Sequence, residues 1–174
     1  IKALENLIRA FAISQQNLSG KYDLHIAGSA EGNEEYLEKL KELVVSLDLV
    51  DRVYFIDHID GAAKQKELAE SKCLILPSHT ENFGNVVIEA LNQGTPVIAS
   101  ANTPWQVLES RSAGYHVSNE PNELAKAIND LTDQRDADYA EMRINAYNLC
   151  RDQFSITDNI YKWTDIYNNL YNKT

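Results

Sequence analysis

Two glutamates, Glu81 and Glu89, bracket a glycine-centred loop within Leu76–Ala99, which reads LPSHTENFGNVVIEALNQGTPVIA. An apolar run stops at Pro77, and Ser78-His79-Thr80-Glu81-Asn82 forms a polar loop. Phe83-Gly84-Asn85-Val86 then leads into a helical pattern. Gly84 has no Cβ, so the backbone there can come close to a ligand. The first amides of the helix lack intrahelical acceptors, and with the helix dipole they favour a phosphate or another anion. A carboxylate on each side would repel such a ligand if anion binding were the whole purpose. The pair makes sense if carboxylates accept hydrogen bonds from sugar hydroxyls beside the phosphates. It also makes sense if one of them stabilises positive charge developing at an anomeric carbon.

The elements that must hold this loop alternate between short apolar runs and longer amphipathic ones. Helical spacing marks residues 1–14 (Leu4, Leu7, Ile8, Phe11) and 33–48 (Tyr36, Leu37, Leu40, Leu43, Val44, Leu47). Lys64–Glu70 and Asn85–Asn92 read as shorter helices, the latter ending near Gly94. Tyr22–Ala27, Val53–Ile56, Cys73–Leu76, Pro96–Ala99 and Tyr115–Val117 read as strands. Helices over about 121–133, 136–152 and 156–172 close the chain, the last with Ile156, Ile160, Trp163, Tyr167 and Leu170 in one stripe. Apolar strands separated by helices predict a Rossmann-like, doubly wound parallel α/β sheet, whose ligands bind at the carboxyl ends of its strands. With no repeats or linkers, 1–174 reads as one domain. The chain also opens without Met or a helix cap, inside an apparent helix, which predicts a fragment of a longer protein.

Composition narrows the partners. A formal net charge of -10 argues against nucleic acid, whose affinity comes largely from Lys and Arg on phosphates. An anionic ligand must then be held by backbone amides or by a few local cations. No apolar run approaches the roughly 20 residues that span a bilayer, and no signal-peptide pattern is present. Cys73 opens the run CLILP and reads as a core residue, while the four histidines lack metal-ligand spacing, so no metal is expected. His25, inside a strand, and His116 read as structural.

Glu81 and Glu89, embedded in PSHTENFGNVVIEALNQGTPVIAS, resemble the signature of retaining GT-B glycosyltransferases of the large GT4-type family. LHIAGSA resembles that family's strand-glycine segment, and VYFIDHID its strand before the base-binding loop. CLILPSHTENFG and VVIEALNQGTPVIAS follow in the expected order, so the likeness covers nearly the whole chain. The resemblance implies a donor-binding half of a glycosyltransferase that uses a nucleotide diphosphate sugar and no bound metal or other cofactor. It implies that Glu81 sits at the reaction centre, against the hydroxyls of the transferred sugar. Phe83, Gly84, Asn85 and Val86, after Ser78, would face the sugar and diphosphate, and Glu89 would bind the ribose. His58 and Ile59 would lie against the base, and Gly28 would keep the first loop open. A separate N-terminal domain would carry the acceptor site and any membrane attachment, with the reaction in the cytoplasm or at the cytoplasmic face of its membrane.

This chain departs from the pattern at two places. Asp57 stands where many relatives have Gly. An Arg and a Lys that neutralise the diphosphate precede the first helix in relatives, and both are expected to be missing here. Taken singly, Glu81 and Glu89 would each read as solvated acids. The apolar neighbours Val87, Ile88, Ala90 and Leu91 and the glycine loop set Glu89 apart. His58 and His79 also read as plain loop residues. Thr103-Pro104-Trp105 reads as a turn with an exposed aromatic, packing the next helix or bordering a sugar. Two rival readings stay open. One is a GT-B nucleotide-sugar epimerase. The other is a flavodoxin-like interaction module, favoured by acidity and Asp57 but lacking a receiver's acidic pair in IAGSA.

Overall fold

The computed structural model describes residues 2–155 and, beyond them, residues 157, 160, 161, 164, 165, 167 and 168. Its elements follow one another as α1 (Leu4–Leu18), β1 (Leu24–Ala27), α2 (Glu34–Ser46), β2 (Val53–Ile56), α3 (Gly61–Glu70) and β3 (Leu74–Leu76). Then come α4 (Asn85–Asn92), β4 (Val97–Ser100), α5 (Val107–Ser110), β5 (Gly114–Val117), α6 (Pro121–Thr132) and α7 (Asp136–Phe154). The strands pair in parallel throughout, as the alternation predicts. They form two hydrogen-bonded groups, β1-β2 and β3-β4-β5, where the sequence pattern alone suggested one continuous sheet.

Side chains, not a shared ladder, join the two groups. Leu24 of β1 and Val53 of β2 bury with Ile98 of β4 in one core, against Leu7, Ile8 and Phe11 of α1, Leu40 and Val44 of α2, and Leu124 and Ile128 of α6. Val97 and Ala99, which flank Ile98, bury on the opposite side with Leu68 of α3, Val87 and Leu91 of α4, Leu108 of α5 and Leu149 of α7. The alternation along β4 is the period-two pleat with both faces covered, which is the doubly wound arrangement. Each Leu or Ile fully buried this way contributes about 1.5–3 kcal/mol. β4 runs so close to β5 that a Cβ on Gly114 would lie 1.9 Å from the Val97 carbonyl oxygen. That contact requires glycine.

Several boundaries differ from the sequence reading. α1 starts at Leu4 behind Ala3, a left-handed residue with φ 49, so residue 2 is a lead-in and not part of the helix. α3 begins at Gly61, earlier than Lys64. α5, one turn long, has too few residues to show a period. Pro121 opens α6, where its fixed φ suits the first helical position. Of the expected last stripe, Ile156, Trp163 and Leu170 lie outside the described residues, while Ile160 and Tyr167 are helical and exposed.

Candidate functional site

The carboxyl ends of β3, β4 and β5 converge on the loop that carries Glu81. Beyond β3, Pro77 and Ser78 are buried, and the Ser100 hydroxyl at the end of β4 donates to the Ser78 carbonyl. The Ser78 hydroxyl is itself buried with no hydrogen-bond partner, an unsatisfied acceptor and donor at the floor of the site. Past β5, the buried Asn119 amide donates to the Pro77 carbonyl at 3.2 Å and to His79 Nδ1 at 3.0 Å. Asn6 of α1 donates to the Asn119 carbonyl at 2.9 Å. Asn119 thus ties the β3 loop, the β5 end and the start of α1 into one unit, and it gives His79 a fixed partner.

Gly84 is the residue on which α4 turns. It sits in the left-handed region at φ 79 as the N-cap of α4, with no side chain capping the helix. A Cβ there would meet Leu76 Cδ2 at 3.0 Å and Glu81 Cγ at 3.3 Å. The leading amides of α4 at Asn85 and Val86 therefore take no side-chain cap, an arrangement that favours an anion. The preceding Phe83 carbonyl accepts the indole N–H of Trp105. The Phe83 ring is 39% exposed, and it stacks at 5.2 Å on Trp105 and meets Phe154 of α7 at 6.0 Å. Trp105 is only 1% exposed. The expectation of an exposed aromatic bordering a sugar is therefore corrected: Phe83, Phe154 and α5 cover the indole, which supports the glycine loop from behind.

Each of the two carboxylates is matched by a lysine from another element. Lys2 Nζ lies 2.6 Å from Glu81 Oε2. The hydrogen bond from Lys2 holds the Glu81 carboxyl below the usual carboxylate range, against a smaller opposing effect of burial. The sequence reading expected both cations of the lead-in to be missing, but Lys2 stands there, ahead of α1 and against the Glu81 loop. Glu89, one turn into α4, faces α3, where Lys64 Nζ lies 2.8 Å from its Oε2. The two form one wall of a cleft of about 280 Å³ between α3 and α4, completed by Gly61, Gln65, Leu68, Asn92 and Gln93. The like-charge conflict raised by paired carboxylates is thereby offset by local cations in an otherwise acidic protein.

The remaining predicted residues lie at the ends of β1 and β2. Gly28 follows β1 at φ 153, its amide donates to the Ile56 carbonyl at 3.0 Å, and no atom lies within 4 Å of a Cβ placed on it. The loop beside it is open. After β2, Asp57 Oδ1 accepts the amide of the exposed His58 at 2.7 Å, so Asp57 shapes its own loop where a glycine would leave it free. Ile59 is half-buried. Ser78, Glu81, Phe83, Gly84, Asn85 and Val86 thus share one loop, and Lys64 links α3 to Glu89, just past the His58–Ile59 loop. Gly28 is hydrogen-bonded to the end of β2 and not to the Glu81 loop. Of the other histidines, His25 pairs with Glu67 of α3 at 2.5 Å and meets Tyr54 edge-on. His116 Nε2 lies 3.0 Å from the Thr103 carbonyl. Both are the structural roles expected.

Sequence reasoning missed Lys2, Lys64, Ser100 and Asn119, and misplaced Trp105. Lys2 could have been found from its place directly before the α1 pattern. The others have partners far along the chain and no local signal.

Residues 1–149 match the family model described as glycosyl transferases group 1. An O-antigen biosynthesis glycosyltransferase of Escherichia coli, WclY, is 26% identical over 158 residues, covering 90% of this chain and 42% of that protein. A D-inositol 3-phosphate glycosyltransferase of Streptomyces scabiei is 29% identical over 146 residues, with 78% and 32% coverage. This chain therefore spans less than half the length of those relatives. Among solved structures, sucrose-phosphate synthase from Thermosynechococcus elongatus superposes with a TM-score of 0.81 at 27% identity, over 99% of this chain and 43% of that one. HepE of Anabaena, solved in complex with UDP-glucose, gives 0.82 at 24% identity, over 97% and 45%.

Proposed function

Because this chain belongs to the glycosyl transferases group 1 family, we propose that it is the donor-binding part of a retaining glycosyltransferase that moves a sugar from a nucleotide diphosphate sugar to a glycan or lipid-linked acceptor. The observation that carries the reading is the uncapped start of α4 at Gly84, set between Glu81 and Glu89, each within 3 Å of a lysine. That the Anabaena relative was solved with UDP-glucose supports the choice of ligand class.

On this reading the diphosphate lies over the amides of Asn85 and Val86, with Lys2 beside it. The bond between the anomeric carbon and the diphosphate oxygen breaks, and its electrons leave with the diphosphate. The dipole of α4 and the Lys2 ammonium favour that growing negative charge. Glu81 faces the sugar side, accepts its hydroxyls and favours the positive charge at the anomeric carbon. Ser78, buried and unpartnered beneath, offers a further hydroxyl. The acceptor oxygen bonds to the anomeric carbon from the face the diphosphate leaves, and its proton passes to the departing diphosphate. Glu89 holds the ribose, while His58 and Ile59 lie along the base. No metal or other cofactor takes part in this scheme. Acceptor recognition falls to a further domain outside this chain, and with it any attachment to the cytoplasmic face of a membrane.

The test is turnover of the whole enzyme with UDP-, GDP- and ADP-sugars, with the product's anomeric configuration read by NMR. Retained configuration, and a kcat lowered about a hundredfold in Glu81→Gln with little change in KM, are expected. Inverted product, or equal kcat in Glu81→Gln, contradicts the reading.

A further inference from the structure

Glu89 enters the site through an unusual contact. Its Oε2 is buried and takes no hydrogen bond, although the Lys64 ammonium stands only 2.8 Å away. The cation neutralises the oxygen without a directed bond, so the carboxylate keeps unmet acceptor capacity. Both side chains retain partial exposure, 32% for Lys64 and 40% for Glu89, and both line the cleft between α3 and α4. Gln65, Asn92 and Gln93 add neutral amides around them, and Gly61 at the start of α3 has open space where a Cβ would stand. A cleft with one cation, one under-bonded carboxylate and amides suits an uncharged polyol, whose hydroxyls supply the directed donors that Glu89 lacks.

We propose that Lys64 is a positioning residue for the nucleotide: it fixes the Glu89 carboxylate from α3 so that the carboxylate meets the ribose diol. This rests on the donor-site reading above, and it adds α3 to the elements that recognise the nucleoside. Lys64 acts through Glu89 and does not touch the phosphates. Its loss leaves the carboxylate free to swing into solvent, away from the diol. Since Lys64 precedes the face of α3 that buries Leu68, the same contact also ties the base-side loop, through Asp60 and Gly61, to α4.

The experiment is calorimetric titration of wild type, Lys64→Met, Lys64→Arg and Glu89→Ala with whichever of UDP, GDP and ADP binds, and with its 2′,3′-dideoxy counterpart. Met keeps the length of the side chain without its charge. Lys64→Met is expected to weaken the ribonucleotide roughly tenfold, the scale of one charge-assisted hydrogen bond. Lys64→Arg is expected to restore most of that loss. The dideoxy compound, which has no diol, is expected to bind wild type and Lys64→Met alike. Equal weakening of both nucleotides by Lys64→Met overturns the proposal in favour of a phosphate or purely structural role. Unchanged ribonucleotide affinity in Lys64→Met, with loss in Glu89→Ala, overturns it while leaving the donor site intact. If Glu89→Ala also binds as wild type does, or no nucleotide binds at all, the donor-site reading fails and Lys64 loses its role with it.

Discussion

The indole N–H of Trp105 donates to the carbonyl of Phe83, the residue immediately before the left-handed glycine that opens α4. A buried aromatic between β4 and α5 therefore sets the direction of the peptide leading into the candidate anion site. Phe154, at the end of α7, packs on both rings, 5.4 Å from Trp105 and 6.0 Å from Phe83. The glycine loop is held by the far end of the chain as well as by its own strand.

Trp105→Phe keeps an aromatic ring but leaves the Phe83 carbonyl without its donor. A loss of about 1–3 kcal/mol in urea unfolding is expected, with a weaker nucleotide complex. Trp105→Ala, which also opens a cavity, is expected to cost about 3–5 kcal/mol. Unchanged stability in Trp105→Phe would show that the indole bond has no part in holding the loop.

Gly84→Ala tests the turn itself. The backbone at φ 79 disfavours a Cβ, and the added atom would press on Leu76 Cδ2 at 3.0 Å. About 1–2 kcal/mol of destabilisation is expected from the left-handed conformation alone. Nucleotide affinity should fall as the first amides of α4 are displaced. A variant as stable as wild type and as good a binder would mean that the loop tolerates another path.

The Lys2–Glu81 pair predicts an acid-sensitive contribution to stability. Lys2 lowers the Glu81 carboxyl below its ordinary value, so the folded state binds this proton less readily than the unfolded chain. The contribution is complete above the unfolded value of about 4.3 and is lost as pH falls through the lower, folded one. Thermal unfolding of wild type and Glu81→Gln should therefore converge as pH drops below about 4. Parallel curves through that window would remove the pair from the stability of the fold.

Burial pushes the Cys73 thiol up to about 12, with Lys72 opposing only weakly, and burial raises Cys150 as well. Burial disfavours the thiolate at both positions, so iodoacetamide should label them more slowly in the native protein than after denaturation. Rapid labelling of the native protein would contradict this packing.

Much of this site was legible in the sequence because its signals are local. β2 and α4 fall where the apolar runs and the glycines place them, and Gly84 announces its own backbone conformation. The positions of Glu81 and Glu89 on either side of it follow from counting residues. What stayed hidden depends on distant partners. Trp105 follows a proline in a polar turn and looks solvent-facing, yet Phe83 and Phe154 enclose it. Lys64 sits in KQKELAE, a run that reads as a solvated helix face, and only the packing of α3 on α4 turns it toward Glu89. Asn119 carries no pattern at all, because its three hydrogen-bond partners are Pro77 and His79 of the loop after β3 and Asn6 of α1. The break between β2-β1 and β3-β4-β5 is likewise invisible, since all five strands carry the same apolar signature.

The most direct measurement is calorimetric titration of the protein with UDP, GDP and ADP beside its Glu89→Ala variant. The account predicts that one of the three binds to wild type and that the variant loses at least about tenfold in affinity, more than 1.4 kcal/mol. Equal affinity in the variant would contradict the placement of the nucleotide between α3 and α4.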